Sequence, residues 1–163
     1  MNAFDVLIVG AGTAGQTAAF FLKENGLSVA VVEKSDRPGG ICALAGCQAK
    51  KWFYEAAETI ARSRHLKGKG ISTPAEGDWS EILHQKQAFT EKVPQGTVKS
   101  LEKAGIAFVA GDAAFQDDAT LLVNGSVIDA RYVVLATGAR PMLLPFNGSR
   151  HMITSSQFLE LSD

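Results

Sequence analysis

Apolar residues follow two rhythms along this chain. FDVLIVG (4–10) and LSVAVVE (27–33) are unbroken, β-branched runs, the pattern of strands buried on both faces of a parallel sheet. Between them TAGQTAAFFLKEN places Ala14, Ala18, Phe21 and Leu22 at helical spacing, and Gly26 closes the segment. Strand, helix and strand within about 30 residues predict a βαβ unit with a right-handed crossover.

From Gly46 to about His65 the residues are good helix formers. A second long helix is expected from DWSE, where Asp78 and Glu81 have capping-box spacing. Pro94 should kink or break it before LEKAG ends it. The period then shortens. IAFVAGDAAFQDDATLLVNGSVIDA holds short apolar segments separated by Asp117-Asp118 and Asn124-Gly125, which predicts a small antiparallel meander with a tight hairpin. RYVVLATG (131–138) returns to a fully buried strand, placed back in the main sheet. The expected fold class is α/β: a mainly parallel, Rossmann-like sheet with helices and a small antiparallel β-meander.

Composition narrows the partners. With 163 residues, 46% of them apolar, the chain can bury a sizeable core, and one domain is expected. Sixteen basic and 17 acidic residues are spread along it, so nothing points to nucleic acid or an anionic membrane. The one basic cluster, Arg62, Arg64, His65, Lys67 and Lys69, falls where a helix should end and complements its negative pole. No apolar run approaches the roughly 20 residues that cross a bilayer, and MNAFDVLIVG lacks the features of a signal peptide. A cytoplasmic location is expected.

VGAGTAG carries Gly10, Gly12 and Gly15 in the GxGxxG pattern, directly after a strand and opening a helix, with Glu33 ending the next strand. Gly10 permits the tight turn, Gly12 leaves room for a pyrophosphate, and Gly15 lets helix and strand pack closely. The pyrophosphate would meet free N–H groups at the helix start, and Glu33 would accept hydrogen bonds from a ribose. An adenine dinucleotide is the expected ligand, without separating FAD from NAD.

Both cysteines fall in GGICALAGCQAKK (39–51). A structural disulfide closing so short a loop would add roughly 2 kcal/mol on chain-entropy grounds, little for a protein with a full core in a reducing compartment. Zinc fares no better, because His65, His84 and His151 are scattered and the cysteines lack a second pair. A redox pair accounts for more of the segment. Cys47, entering a helix expected near Gly46, would be stabilised as a thiolate by the helix start. Lys51, four residues on, would share its face and favour a nearby anion or a reduced cofactor ring, although Lys50 and Lys51 also read as ordinary surface lysines.

The stretch GGxCxxxxCxxxK, preceded by GxGxxG and an acid and followed by ATGARP (136–141), resembles the FAD-dependent pyridine nucleotide-disulfide oxidoreductases. These include dihydrolipoamide dehydrogenase, glutathione reductase and mercuric reductase. The resemblance implies that FAD is held by Gly10, Gly12, Ala14, Gly15, Glu33, Lys34, Gly40, Thr137 and Gly138. It makes Cys42 the exposed interchange thiol that attacks substrate and Cys47 the sulfur against the flavin, with Lys51 near that ring; it implies no metal. Electrons would run from NAD(P)H through FAD to the Cys42–Cys47 disulfide and on to a small-molecule disulfide or other reducible substrate.

The segment departs from the common TCLNVGCIPSK at Ile41, Leu44 and Ala49, so the substrate is not carried over. The family's NAD(P)-binding domain, third FAD motif and dimerisation domain would follow HMITSSQFLELSD. Gly111-Asp112 imitates the third motif but precedes ATG. Residues 1–163 are therefore expected to be the FAD-binding domain, an N-terminal fragment, inactive alone and weak in holding flavin, of an enzyme that is a homodimer when whole. The alternative is a dinucleotide-binding or redox-sensing module without turnover.

Overall fold

The computed structural model describes residues 4–117, 120–142 and 144–162; Asp118, expected between the meander's segments, lies outside them. The chain divides into two compact units, Met1–Ile41 with Lys92–Ala139, and Cys42–Glu91 with Arg140–Asp163.

The first unit is built on strands β1 (Phe4–Val9), β2 (Val29–Glu33), β3 (Ala107–Ala110) and β7 (Ala130–Leu135), all parallel in the order β3-β2-β1-β7. The unbroken apolar runs of β1 and β2 are explained by burial on both faces, whereas β7, expected to be fully buried, is half-buried to exposed because it lies at the sheet edge. Val6, Ile8, Val29 and Val31 join a core with Ala19, Leu101 and Ile106. Their neighbours Leu7, Ala30 and Val32 point the other way, into a core with Leu121 and Val123. The first core is roofed by helices α1 (Thr13–Glu24) and α5 (Val93–Lys103). The second is covered by the antiparallel strands β4 (Ala113–Phe115), β5 (Leu121–Val123) and β6 (Ser126–Val127).

The two-residue Asn124-Gly125 turn between β5 and β6 is present, with both residues at positive φ, 51° and 78°. The meander is shorter than expected, however. AFVA belongs to the parallel sheet, because it leaves α5 in the direction of β2 and pairs Ala30 with Ala107 through Glu33 with Ala110. The face of α1 also differs from expectation. Gly15 and Ala19 are buried, with Ala18 and Leu22 beside them, whereas Ala14 is exposed and Phe21 is 63% exposed. Phe21 follows Ala19 by two residues, about 200° around the helix.

In the second unit, α2 (Gly40–Leu44) brings in the chain, and α3 (Ala49–His65) packs on α4 (Trp79–Thr90). Helix α3 starts at Ala49 rather than Gly46. Asp78 caps α4 by accepting from the Glu81 N–H at 3.0 Å. Pro94 separates two helices: it sits in the first turn of α5, where its missing N–H leaves no helical bond unmade. Ser155–Phe158 form α6, capped reciprocally by Thr154 and Gln157. Phe53, Trp79 and Phe158 stack with centroids 4.8 to 6.4 Å apart. The Trp79 indole donates to the Leu161 carbonyl at 2.8 Å, and Lys86, fully buried, pairs with Glu160. Among the described residues, no helix is long and apolar enough to cross a membrane.

Candidate functional site

At the carboxyl ends of the parallel strands, β1 has β2 on one side and β7 on the other, the place where the strand order reverses and where open α/β sheets take ligands. Gly10 leaves β1 there with φ +111°, and its N–H donates to the Val32 carbonyl at 2.7 Å. A Cβ on Gly10 would lie 2.3 Å from the Ala136 carbonyl oxygen, because Ala136, just after β7, donates its N–H to the Val9 carbonyl. The ATG segment thus crosses directly over the glycine turn, with Thr137 and Gly138 beyond it, both exposed. A Cβ on Gly15 would lie 1.8 Å from the Gly10 carbonyl oxygen, which fixes the close approach of α1 to the turn.

Gly12 is different. It is the N-cap of α1 in an ordinary extended conformation, φ −77°, and a Cβ there would meet nothing nearer than the Gly40 Cα at 3.6 Å. Neither backbone nor packing demands glycine at this position, and no side chain caps the helix start. The protein therefore keeps an open cradle in front of the unpaired N–H groups of α1, a fit for the phosphates of a dinucleotide. Gly40 completes the cradle from the far side: a Cβ on it would lie 2.5 Å from the Gly12 Cα.

Glu33 does more than its place at the end of β2 suggested. One carboxylate oxygen accepts the Ala11 N–H at 2.8 Å and the other accepts the Ser35 N–H at 2.9 Å, so the acid holds the glycine turn in shape. Each oxygen retains a lone pair for a ribose hydroxyl. Gln16 adds a second tie, donating to the Ala11 carbonyl at 2.8 Å; nothing in the spacing pointed to it. Lys34 is exposed, as is Ala14.

Cys42 lies on α2, which begins at Gly40, and its carbonyl accepts the N–H of Gln48, the N-cap of α3, at 2.9 Å. That bond folds the intervening turn back so that the two thiols meet. The Cys42 thiol hydrogen-bonds to the Cys47 sulfur, and this is the main reason the Cys47 thiol is held below its ordinary pKa. Desolvation opposes the effect, while Cys47's own backbone and, least of all, the Lys50 ammonium assist it. The resemblance implied an exposed Cys42. In the structure Cys42 is half-buried within its helix and Cys47, in the turn, is exposed. Lys51, expected near the cofactor ring, is exposed in the first turn of α3. Among the described residues no cluster of three or more histidine, cysteine or acidic side chains is arranged to hold a metal.

A parallel sheet with a glycine turn at its switch point is the layout of the dinucleotide-binding α/β class, and this chain also carries two hydrogen-bonded thiols. The chain belongs to the pyridine nucleotide-disulphide oxidoreductase family, whose sequence profile matches residues 4–162. It is 33% identical to a mercuric reductase of Staphylococcus aureus, over 98% of this chain and 30% of that protein. It is 30% identical to a glutathione reductase of Schizosaccharomyces pombe, over 97% and 36% respectively. For a dihydrolipoyl dehydrogenase of Mycoplasma pneumoniae the figures are 32%, 97% and 36%. The chain thus spans about a third of the length of these curated relatives. Among solved structures, a copper(II) complex of the HOCl-induced flavoprotein disulfide reductase RclA from Escherichia coli shares the fold. Its TM-score is 0.77 at 23% identity, covering all of this chain and 35% of that one.

Proposed function

We propose that this chain is the FAD-binding and disulfide-carrying part of an NAD(P)H-dependent flavoprotein disulfide reductase. The observation that carries the reading is the pair of hydrogen-bonded thiols, with the Cys47 pKa held below its ordinary value, in a chain whose Gly12 is required neither by backbone conformation nor by packing. Gly10, Gly12, Gly15 and Gly40 shape the cradle, and the first N–H groups of α1 bind the pyrophosphate. Glu33 takes the adenosine ribose. Thr137 and Gly138 line the path of the cofactor, with Ala14 and Lys34 at its margin.

FAD, when bound, supplies two-electron relay between a nicotinamide and the disulfide. Cys47, stabilised as an anion, is the sulfur assigned to the cofactor side, with Lys51 near the ring. Cys42, the hydrogen-bond donor, is assigned the exchange with substrate: its thiolate attacks a disulfide sulfur, one substrate thiolate leaves, and Cys47 closes on the mixed disulfide to release the second. The substrate class is a small-molecule disulfide or another two-electron acceptor. Oxidation of NAD(P)H and homodimer formation are assigned to further sequence of the kind the longer relatives possess.

The test uses the gene product purified with its flavin. Cys42→Ser and Cys47→Ser should each abolish NAD(P)H-dependent reduction of small disulfides while NAD(P)H still bleaches the flavin. Undiminished disulfide reduction in both variants would refute the assignment.

A further inference from the structure

Three of the four backbone polar groups of Ala11 and Gly12 are engaged. The Ala11 N–H donates to the Glu33 carboxylate at 2.8 Å. Both carbonyls are held by one residue, Gln16: its side-chain amide donates to the Ala11 carbonyl at 2.8 Å, and its backbone N–H donates to the Gly12 carbonyl at 2.9 Å. The fourth group, the Gly12 N–H, has no hydrogen-bond partner among the described residues. The peptide joining Ala11 to Gly12 is planar and trans, so its carbonyl and its N–H point in opposite directions. Fixing that carbonyl on Gln16 therefore fixes where the free N–H points. A Cβ on Gly40 would lie 3.6 Å from the Gly12 nitrogen, which places this nitrogen on the wall of the cradle that Gly40 closes.

We infer that Gln16 is a positioning residue for the pyrophosphate of the cofactor: by holding the Ala11 carbonyl, its side-chain amide aims the Gly12 N–H at the phosphate oxygens before the ligand arrives. Ala11 is fully buried, so water does not substitute for the amide. With the donor gone, the carbonyl has to turn to find another, because an unsatisfied buried acceptor is costly, and the N–H turns with it. Glu33 holds the peptide on the other side of Ala11 and does not set this plane. A hydrogen bond from a backbone N–H to a phosphate is charge-assisted and weakens steeply as its angle departs from linear. A misaimed Gly12 N–H thus lowers affinity through the phosphates and leaves the flavin ring as it was.

The inference rests on the proposed function, and its test separates the two. The gene product is stripped of flavin and retitrated with FAD by flavin fluorescence, and the phosphorus NMR spectrum of the bound cofactor is recorded. Gln16→Met keeps the length of the side chain and removes the donor; Gln16→Asn keeps an amide but withdraws it by one methylene. Each should weaken FAD binding roughly three- to tenfold, less than the full value of a hydrogen bond to a charged group because the N–H is misaimed rather than removed. Each should also move a pyrophosphate resonance while the flavin absorption spectrum stays as in wild type. Ser28→Ala loosens the opposite end of β1, where the Ser28 hydroxyl bonds Asp5, and should leave FAD affinity and the phosphorus resonances unchanged. Wild-type affinity and phosphorus shifts in both Gln16 variants would overturn the inference alone, as would an equal loss of affinity in Ser28→Ala. A gene product that takes up no FAD would overturn the proposed function and this inference with it.

Discussion

The glycine turn offers a substitution that separates what the fold requires from what the ligand requires. In Gly12→Ser the new Cβ sits in an ordinary backbone conformation, 3.6 Å from its nearest neighbour, so no clash is introduced. Serine is a better N-cap than glycine by a few tenths of a kcal/mol, and α1 has no side-chain cap to displace. The variant should be as stable as wild type or slightly more so. Gly15→Ala is its opposite: a methyl 1.8 Å from the Gly10 carbonyl oxygen forces α1 off the turn. Overpacking of that kind costs about 3 kcal/mol. Urea unfolding followed by circular dichroism measures both. FAD and ADP affinity, from flavin fluorescence quenching and calorimetry, should nonetheless fall at least roughly tenfold in Gly12→Ser, about 1.4 kcal/mol, because the hydroxymethyl fills the phosphate cradle. Wild-type affinity in Gly12→Ser would show that the cradle does not hold phosphate. Destabilisation matching that of Gly15→Ala would show that the space at residue 12 is not there.

Three other outcomes follow from the contacts. Asp5 accepts hydrogen bonds from the Ser28 hydroxyl at 2.6 Å and its N–H at 2.8 Å, which, with Arg131 assisting, hold its carboxyl below 3.8. Its stabilising contribution is therefore complete above that unfolded value and lost as pH falls through the lower folded one, so the melting temperature should drop in that acid window and drop less in Asp5→Asn. Removing Glu160 leaves the buried Lys86 ammonium without its carboxylate. Glu160→Ala should cost about 1–3 kcal/mol in chemical denaturation, more than Glu58→Ala, whose surface partner Arg62 is free to solvate. Trp79→Phe keeps the ring among Phe53 and Phe158 but loses the bond to Leu161, for an expected cost of about 1 kcal/mol.

What the sequence disclosed depended on whether the signal was local. Strands β1 and β2 were legible because burial leaves an unbroken apolar run; the same signal placed β7 in the sheet but overstated its burial, because it lies at the sheet edge. The turn glycines were legible because a tight strand-to-helix turn fixes the spacing of Gly10 and Gly15. β3 was misplaced because a four-residue apolar segment looks the same in a parallel sheet as in a meander; only pairing with Ala30–Glu33 decides it. The spacing of the cysteines was legible, but the start of the helix after them, at Ala49 rather than Gly46, was not: it is set by the turn that the Gln48 N–H closes on the Cys42 carbonyl, which leaves no mark in composition.

Lys86 is the opposite extreme. Its position in an amphipathic helix reads as a solvated charge, and its partner is 74 residues away. Burying an ammonium is costly unless a carboxylate meets it, and Glu160 is brought there by the Thr154–Gln157 cap and by the Trp79–Leu161 bond. The pairing is thus a consequence of how the chain's last described helix docks on α4. For that reason a variant that weakens the docking without touching either charge, Trp79→Phe, should also make Lys86 more reactive toward amine-modifying reagents. If labelling of Lys86 were unchanged while stability fell, the ion pair would be holding the segment in place without help from the indole.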